Sequence, residues 1–259
     1  MMELLKISAK NLGQTALEDF CPRCYWIKLK TNFKLPWQSF PGIFSSIDSY
    51  TKSCIHHIID VVNIPTKIAY TDTSVKFFKL PDWMKQMGDI VSYEKVPHWS
   101  KNTFYDEKSN ITLQGAQDDI LVCSNGDRIV PDYKTAKHTD TQDKLFPLYE
   151  VQENVYSILS EKDGKPPVKL FLAYMEPCTE SSFAQSNIID CGFRMCFSGV
   201  VVPVKRDRAI VRKALNTTRE IADLSTAPKG NDNCKECQQL DKIIGLLGMG
   251  KVSNAGLEE

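Results

Sequence analysis

Residues 115–137, GAQDDILVCSNGDRIVPDYKTAK, place acids, a proline and a lysine on either side of one predicted turn. The strand-like runs ILV and RIV flank SNGD, whose Asn-Gly step is a strong signal for a tight hairpin. A strand alternates its faces, so Asp132 and Lys134 point to one side of the sheet and Tyr133 to the other. In the hairpin Asp118 lies across the turn from Asp132, so oxygens from neighbouring strands meet near one ammonium group. Gly115 lets the backbone bend there or approach a ligand closely.

This residue set suits a hard divalent cation, which takes a few carboxylate oxygens and fills its remaining positions with water. Such an ion polarises a phosphodiester oxygen and lowers the pKa of water, giving electrophile and nucleophile together. Lys134 then orients the attacking water or offsets charge on the phosphorane oxygens, with a compactness that arginine lacks. An isolated D-x-K tripeptide reads equally well as a surface ion pair worth about 0–1 kcal/mol. The upstream G-x-x-D and the strand-turn-strand context favour the cation site.

Outward from the hairpin, the pattern alternates between helix and strand. SAKNLGQTALEDF predicts a short helix capped by Ser8, and KLPWQSFPG an irregular connector. IFSSIDSYTKSCIHHII predicts a helix with Ile43, Ile47, Cys54 and Ile58 as its apolar stripe, and Asp48, Lys52 and His56 on another face. DIVSYEKV and ITLQGAQDDILV read as strands, LFPLYEVQENVYSILSE as a helix and VKLFLAYMEP as a buried strand. A strand pair in IIDCGFRMCFSGVVVPVK and an amphipathic helix in RDRAIVRKALNTTREIADL follow. The order is that of a mixed α/β protein.

In order and spacing, GAQD, the hairpin, PDYKT, and Gln152 and Tyr156 of QENVY match a G-x-x-D, (D/E)-x-K, Q-x-x-x-Y signature. The region from about residue 90 to 160 thereby resembles the RecB-like branch of the PD-(D/E)XK nuclease superfamily. The resemblance implies a restriction-endonuclease-like core, a central mixed sheet flanked by helices, over about residues 43–180 of a single domain spanning 1–259. It implies Asp118 and Asp132 as metal-binding carboxylates, Lys134 as the catalytic lysine, and the Tyr133 carbonyl as a further metal ligand. Gln152 and Tyr156, one helical turn apart, fall beside the active site. The family adds a residue from the preceding helix, for which His56, His57 and Asp48 are the candidates. Glu94 is another carboxylate before the hairpin, and Asp119 points to the opposite face as a bystander. The implied activity is Mg²⁺- or Mn²⁺-dependent hydrolysis of DNA, as an exonuclease on single strands or ends. The alternative is a nucleic-acid-binding relative without catalysis.

CPRC at 21–24 and CKEC at 234–237 supply four thiolates from the two ends of the chain, enough for Zn²⁺ or a [4Fe-4S] cluster. CPRCYW is similar to the N-terminal cysteine segment of iron-sulfur CRISPR-adaptation exonucleases, which implies a cluster on Cys21, Cys24, Cys234 and Cys237. Those relatives carry one cysteine before the core and three after it, whereas this chain has two and two, which keeps structural zinc as the alternative. Either would join segments at about 8–30 and 225–240 and restrict the unfolded chain. Cys54, Cys123, Cys178, Cys191 and Cys196 read as small buried hydrophobes.

Lysine plus arginine equals aspartate plus glutamate at 32 each, so a DNA partner must be met by a local patch. Lys205, Arg206, Arg208, Arg212, Lys213 and Arg219 form one basic helical face suited to phosphates, diluted by Asp207 and Glu220. Trp37, Trp83 and Trp99 read as packing residues. MMELLKISAKNLGQ lacks the apolar core of a signal peptide, and GVVVPV is too short to cross a bilayer. A cytoplasmic protein without a membrane partner is the expectation.

Overall fold

Segment Lys169–Pro177 is buried from Leu170 through Met175, the mark of an inner strand covered on both faces. It sits inside an α/β arrangement that the computed structural model describes for residues 3–34, 41–62, 79–139, 144–164 and 166–247. Trp37 lies outside these residues.

The N-terminal part comprises β1 (Leu5–Ser8), α1 (Ala9–Gly13), α2 (Pro22–Lys30), α3 (Ile43–Val62) and α4 (Asp82–Met87). The predicted Ser8 cap is present, its hydroxyl accepting the Asn11 N–H at 3.2 Å. Strands β2 (Ile90–Tyr93), β3 (Thr103–Asp106), β4 (Ile111–Gln114), β5 (Leu121–Cys123) and β6 (Arg128–Lys134) precede α5 (Phe146–Ser160) and β7 (Lys169–Pro177). After these come α6 (Ser181–Ser186), β8 (Ile188–Ile189), β9 (Gly192–Phe193), β10 (Phe197–Val204), α7 (Arg208–Ala222) and α8 (Lys235–Leu246). None of the described helices is long and apolar enough to cross a membrane.

The main sheet has the order β10-β7-β6-β5-β2, with β6 and β7 parallel and the other neighbours antiparallel. Alternation along β6 divides its two faces. Val130 joins Leu170 and Leu172 of β7 and Val151 and Val155 of α5, while Ile129 and Tyr133 join Ile55 and Ile59 of α3 and Met84 and Met87 of α4. Helices therefore cover both faces of a central mixed sheet, and Asp132 and Lys134 fall on the α5 side.

The predicted long strand over 111–122 divides in two. β4 joins a separate sheet of order β1-β4-β3, and only Leu121–Cys123 pairs with β6, through Leu121↔Ile129 and Val122↔Arg128. Continuing that register sets Asp119 against Pro131, which has no N–H to donate, so the ladder stops. The turn itself follows the sequence: the Gly126 N–H reaches the Cys123 carbonyl at 2.9 Å, and Gly126 takes the left-handed φ of 85° that favours glycine.

Candidate active site and four-cysteine centre

Where the ladder ends, a side chain takes over. Asp118 Oδ2 accepts the Tyr133 N–H at 2.8 Å, so the irregular segment after Gly115 is held against the strand that carries Asp132 and Lys134. That segment is also pinned to α5: Gln117 Nε2 donates to the Ser160 hydroxyl at 2.7 Å and to the Tyr156 carbonyl at 3.2 Å. A Cβ on Gly115 would come within 2.9 Å of the Tyr156 ring, so the absence of a side chain lets the ring lie under the segment. The sequence flagged Gly115 but not Gln117, whose role depends on the distant Ser160.

Asp132 is 2% exposed and ion-paired with Lys134. Gln152 Nε2 donates to Asp132 Oδ1 at 3.1 Å and to the Tyr156 hydroxyl at 3.1 Å, and Lys134 Nζ lies 4.2 Å from the centre of the Tyr149 ring. Burial pushes the Asp132 carboxyl up; the Lys134 ammonium opposes this and Asp118 reinforces it, for a value of about 7. Burial alone would lower Lys134, but the carboxylate beside it outweighs that and raises it, so the amine stays charged. The structure thus brings together Asp118, Asp132, Lys134, Gln152 and Tyr156. Tyr133 takes the opposite face, its ring buried in the apolar cluster under α3 and α4.

Helix α3 meets this site through a lysine. Lys52 Nζ bridges Asp48 Oδ2 and Asp118 Oδ1, each at 2.9 Å. One turn later His56 Nε2 lies 2.7 Å from Asp119 Oδ2, and its ring stacks on Tyr93 at 3.8 Å between centres, away from the paired acids. His57 is exposed and has no hydrogen bond among the described residues. The four-residue step was visible in the sequence, but which of its members touches Asp118 depends on where the helix lies along the sheet. Asp119 does turn to the opposite face, where it also accepts from the Tyr133 hydroxyl at 3.2 Å. Glu94 pairs with Arg128 at 2.9 Å.

Sequence reading passed over Glu153. It is fully buried, neither carboxyl oxygen has a hydrogen-bond partner among the described residues, and burial, reinforced by Asp132, holds its proton far above the ordinary range. Its neighbours Gln152 and Asn154 are polar as well, so no local pattern marks position 153 as buried, and charged residues are rarely buried unless paired.

The cysteine pairs meet as predicted. Cys21 caps α2 and Cys234 caps α8, so both pairs sit at helix N-termini, where the dipole favours thiolate. Sulfur separations are 3.5 Å for Cys21–Cys237, 3.3 Å for Cys24–Cys237 and 3.6 Å for Cys24–Cys234, and all four sulfurs lie within 4.8 Å of one another. Burial pushes the Cys21 thiol up, but the backbone N–H groups of Cys24 and Asn231 and the nearby thiols outweigh it and bring it to about 7. The Gly230 backbone lies so close that a Cβ there would meet Cys237 Sγ at 2.7 Å. Arg23 and Asp241, paired at 2.6 Å, tie α2 to α8 beside the centre. Such a group can hold a metal ion. Of the other cysteines, Cys123 is buried, Cys54, Cys178 and Cys196 are half-buried and Cys191 is exposed in the β8–β9 turn, so the expectation of five buried thiols holds only for the first.

The basic face of α7 is largely spent in ion pairs. Arg206 and Arg208 hold Glu161, Arg212 holds Asp106 at 2.7 Å, and Arg219 holds Asp223 at 2.6 Å. Trp83 packs as expected, its ring so close to Gly199 that a Cβ there would meet it at 2.6 Å, whereas Trp99 is 52% exposed.

No protein-family model matches the chain, and no curated protein does. Among eleven matching solved chains, one titled "Crystal structure of SSO0001" has 14% identity and a TM-score of 0.38 over 95% of this chain and 87% of that one. A likeness of that size leaves the site to be argued from its own residues.

Proposed function

We propose that this chain is a nuclease that hydrolyses DNA phosphodiester bonds with Mg²⁺ or Mn²⁺, on a core of the PD-(D/E)XK kind. The observation that carries the reading is the convergence of Asp118, Asp132 and Lys134 where the β5–β6 ladder is interrupted. The donor set fits a hard cation: two carboxylates from adjacent backbone segments, with the buried Gln152 Oε1 and Glu153 oxygens beside them lacking hydrogen-bond partners. Asp118 and Asp132 would hold the ion, with the Tyr133 carbonyl as a further ligand. A divalent cation bound there supplies the positive charge that polarises a phosphodiester oxygen.

The chain's own residues do the rest. Lys134 keeps its proton, so it acts through charge, steering water toward phosphorus and offsetting negative charge on the phosphoryl oxygens. Gln152 fixes the Asp132 carboxylate through its amide, and Tyr156 fixes Gln152. Lys52 balances the outer side of Asp118. Preference for single strands or DNA ends rests on the sequence resemblance, since most arginines of the α7 face are engaged with acids.

For the cysteine centre we favour one zinc ion over a four-iron cluster. Four thiolates around one ion at 2.3 Å stand about 3.8 Å apart, close to the separations seen here. A cluster gives each cysteine its own iron and sets the sulfurs farther apart. The ion would be structural, closing the chain between its ends.

The test is cleavage of end-labelled single-stranded and duplex DNA with Mn²⁺, comparing the wild type with Asp132→Asn and Lys134→Ala. Metal-dependent cutting lost in both variants supports the reading; intact DNA with the wild type points to binding without catalysis.

A further inference from the structure

One face of α5 is built around an acid that nothing in the described protein satisfies. Positions 149, 152, 153 and 156 share an arc of the helix because they are three or four residues apart. Three of them are already at the paired acids and Lys134: Tyr149 under the ammonium, Gln152 on Asp132, and Tyr156 on Gln152. Glu153 lies in the same arc, fully buried, and the charges acting on it are those of Asp132, Lys134 and Asp118. Both its oxygens lack hydrogen-bond partners.

Burying a carboxyl group without a partner is strongly unfavourable, and an apolar side chain of similar size would serve a structural role better. Hard divalent cations bind six or more oxygens, so two carboxylates leave positions for another. We propose that Glu153 supplies a third carboxylate to the divalent-cation site formed with Asp118 and Asp132. This rests on the reading of those two aspartates as metal ligands.

Calorimetric titration of the full chain with MnCl₂ tests it, using the wild type, Glu153→Gln and Asp132→Asn, with thermal unfolding of each in metal-free buffer. Glu153→Gln is expected to weaken Mn²⁺ binding about 10–100-fold while unfolding at the same or a higher temperature, because the amide removes an unpaired buried acid. Mn²⁺ binding equal to wild type in Glu153→Gln, with binding lost in Asp132→Asn, overturns the role of Glu153 and leaves the cation site standing. Equal binding in all three proteins overturns both. If Glu153→Gln does not fold, Glu153→Met carries the same comparison.

Discussion

Asp118 takes the backbone N–H of Tyr133 at 2.8 Å, and through this one bond a loop replaces a strand beside Asp132 and Lys134. The proline one position before Asp132 ends the ladder, the freed N–H is capped by a carboxylate, and the two acids are left beside Lys134, with Lys52 paired to Asp118 from α3.

Lys134 is expected to act on the reaction more than on the ion. Lys134→Ala should lower kcat by about 10²–10³ and leave Mn²⁺ affinity unchanged or higher, because a competing cation beside Asp132 is gone. Lys134→Arg should not restore the rate, since a planar guanidinium cannot occupy the space between Asp132 and the Tyr149 ring in the same way. Single-turnover kinetics alongside metal titration separates the two effects.

Gly115 and Tyr156 should behave as a coupled pair. Gly115→Ala forces a methyl group against the ring and should destabilise by about 1–3 kcal/mol, measured by urea unfolding. In a Tyr156→Ala background the same change should have a much smaller effect. An unchanged penalty there would place its origin in the backbone.

Two carboxyls give stability opposite pH dependences. Asp106 is held down at about 2, chiefly by its hydrogen bonds from Arg212, so its contribution is full above the ordinary carboxylate range and is lost as pH falls through about 2. Asp132 is held up at about 7 by burial, so the native protein keeps a proton that the unfolded chain has released. Stability therefore declines as pH rises from about 4 to about 7. Asp106→Asn should flatten the acid limb and Asp132→Asn the neutral one, in chemical denaturation of metal-free protein across that range.

The cysteine centre should contain one zinc per chain and be colourless when purified without oxygen. Removing the ion, or Cys237→Ser, should lower stability by about 2–4 kcal/mol, the range for closing a long loop, because Cys21 and Cys237 are 216 positions apart. Brown protein with stoichiometric iron and acid-labile sulfide would contradict the zinc assignment.

Much of the site was legible because strand alternation is local. Asp132, Tyr133 and Lys134 had to divide between two faces whatever surrounded them, and Gln152 and Tyr156 had to share a helical face. Cysteine pairing was legible too, since two C-x-x-C pairs together supply the four ligands of a tetrahedral metal site. The departures depend on distant partners. The length of β5 turns on the missing N–H of Pro131, and the choice of Lys52 over His56 as the contact to Asp118 turns on where α3 lies. The burial of Glu153 arises from the packing of α5 against the sheet, which sequence periodicity does not reveal for a charged side chain.

The most direct measurement is the anomalous scattering of Mn²⁺ in crystals grown with the ion. A peak is expected within about 2.5 Å of carboxylate oxygens from both Asp118 and Asp132. A peak held elsewhere, or none while Lys134 still grips Asp132, would contradict it.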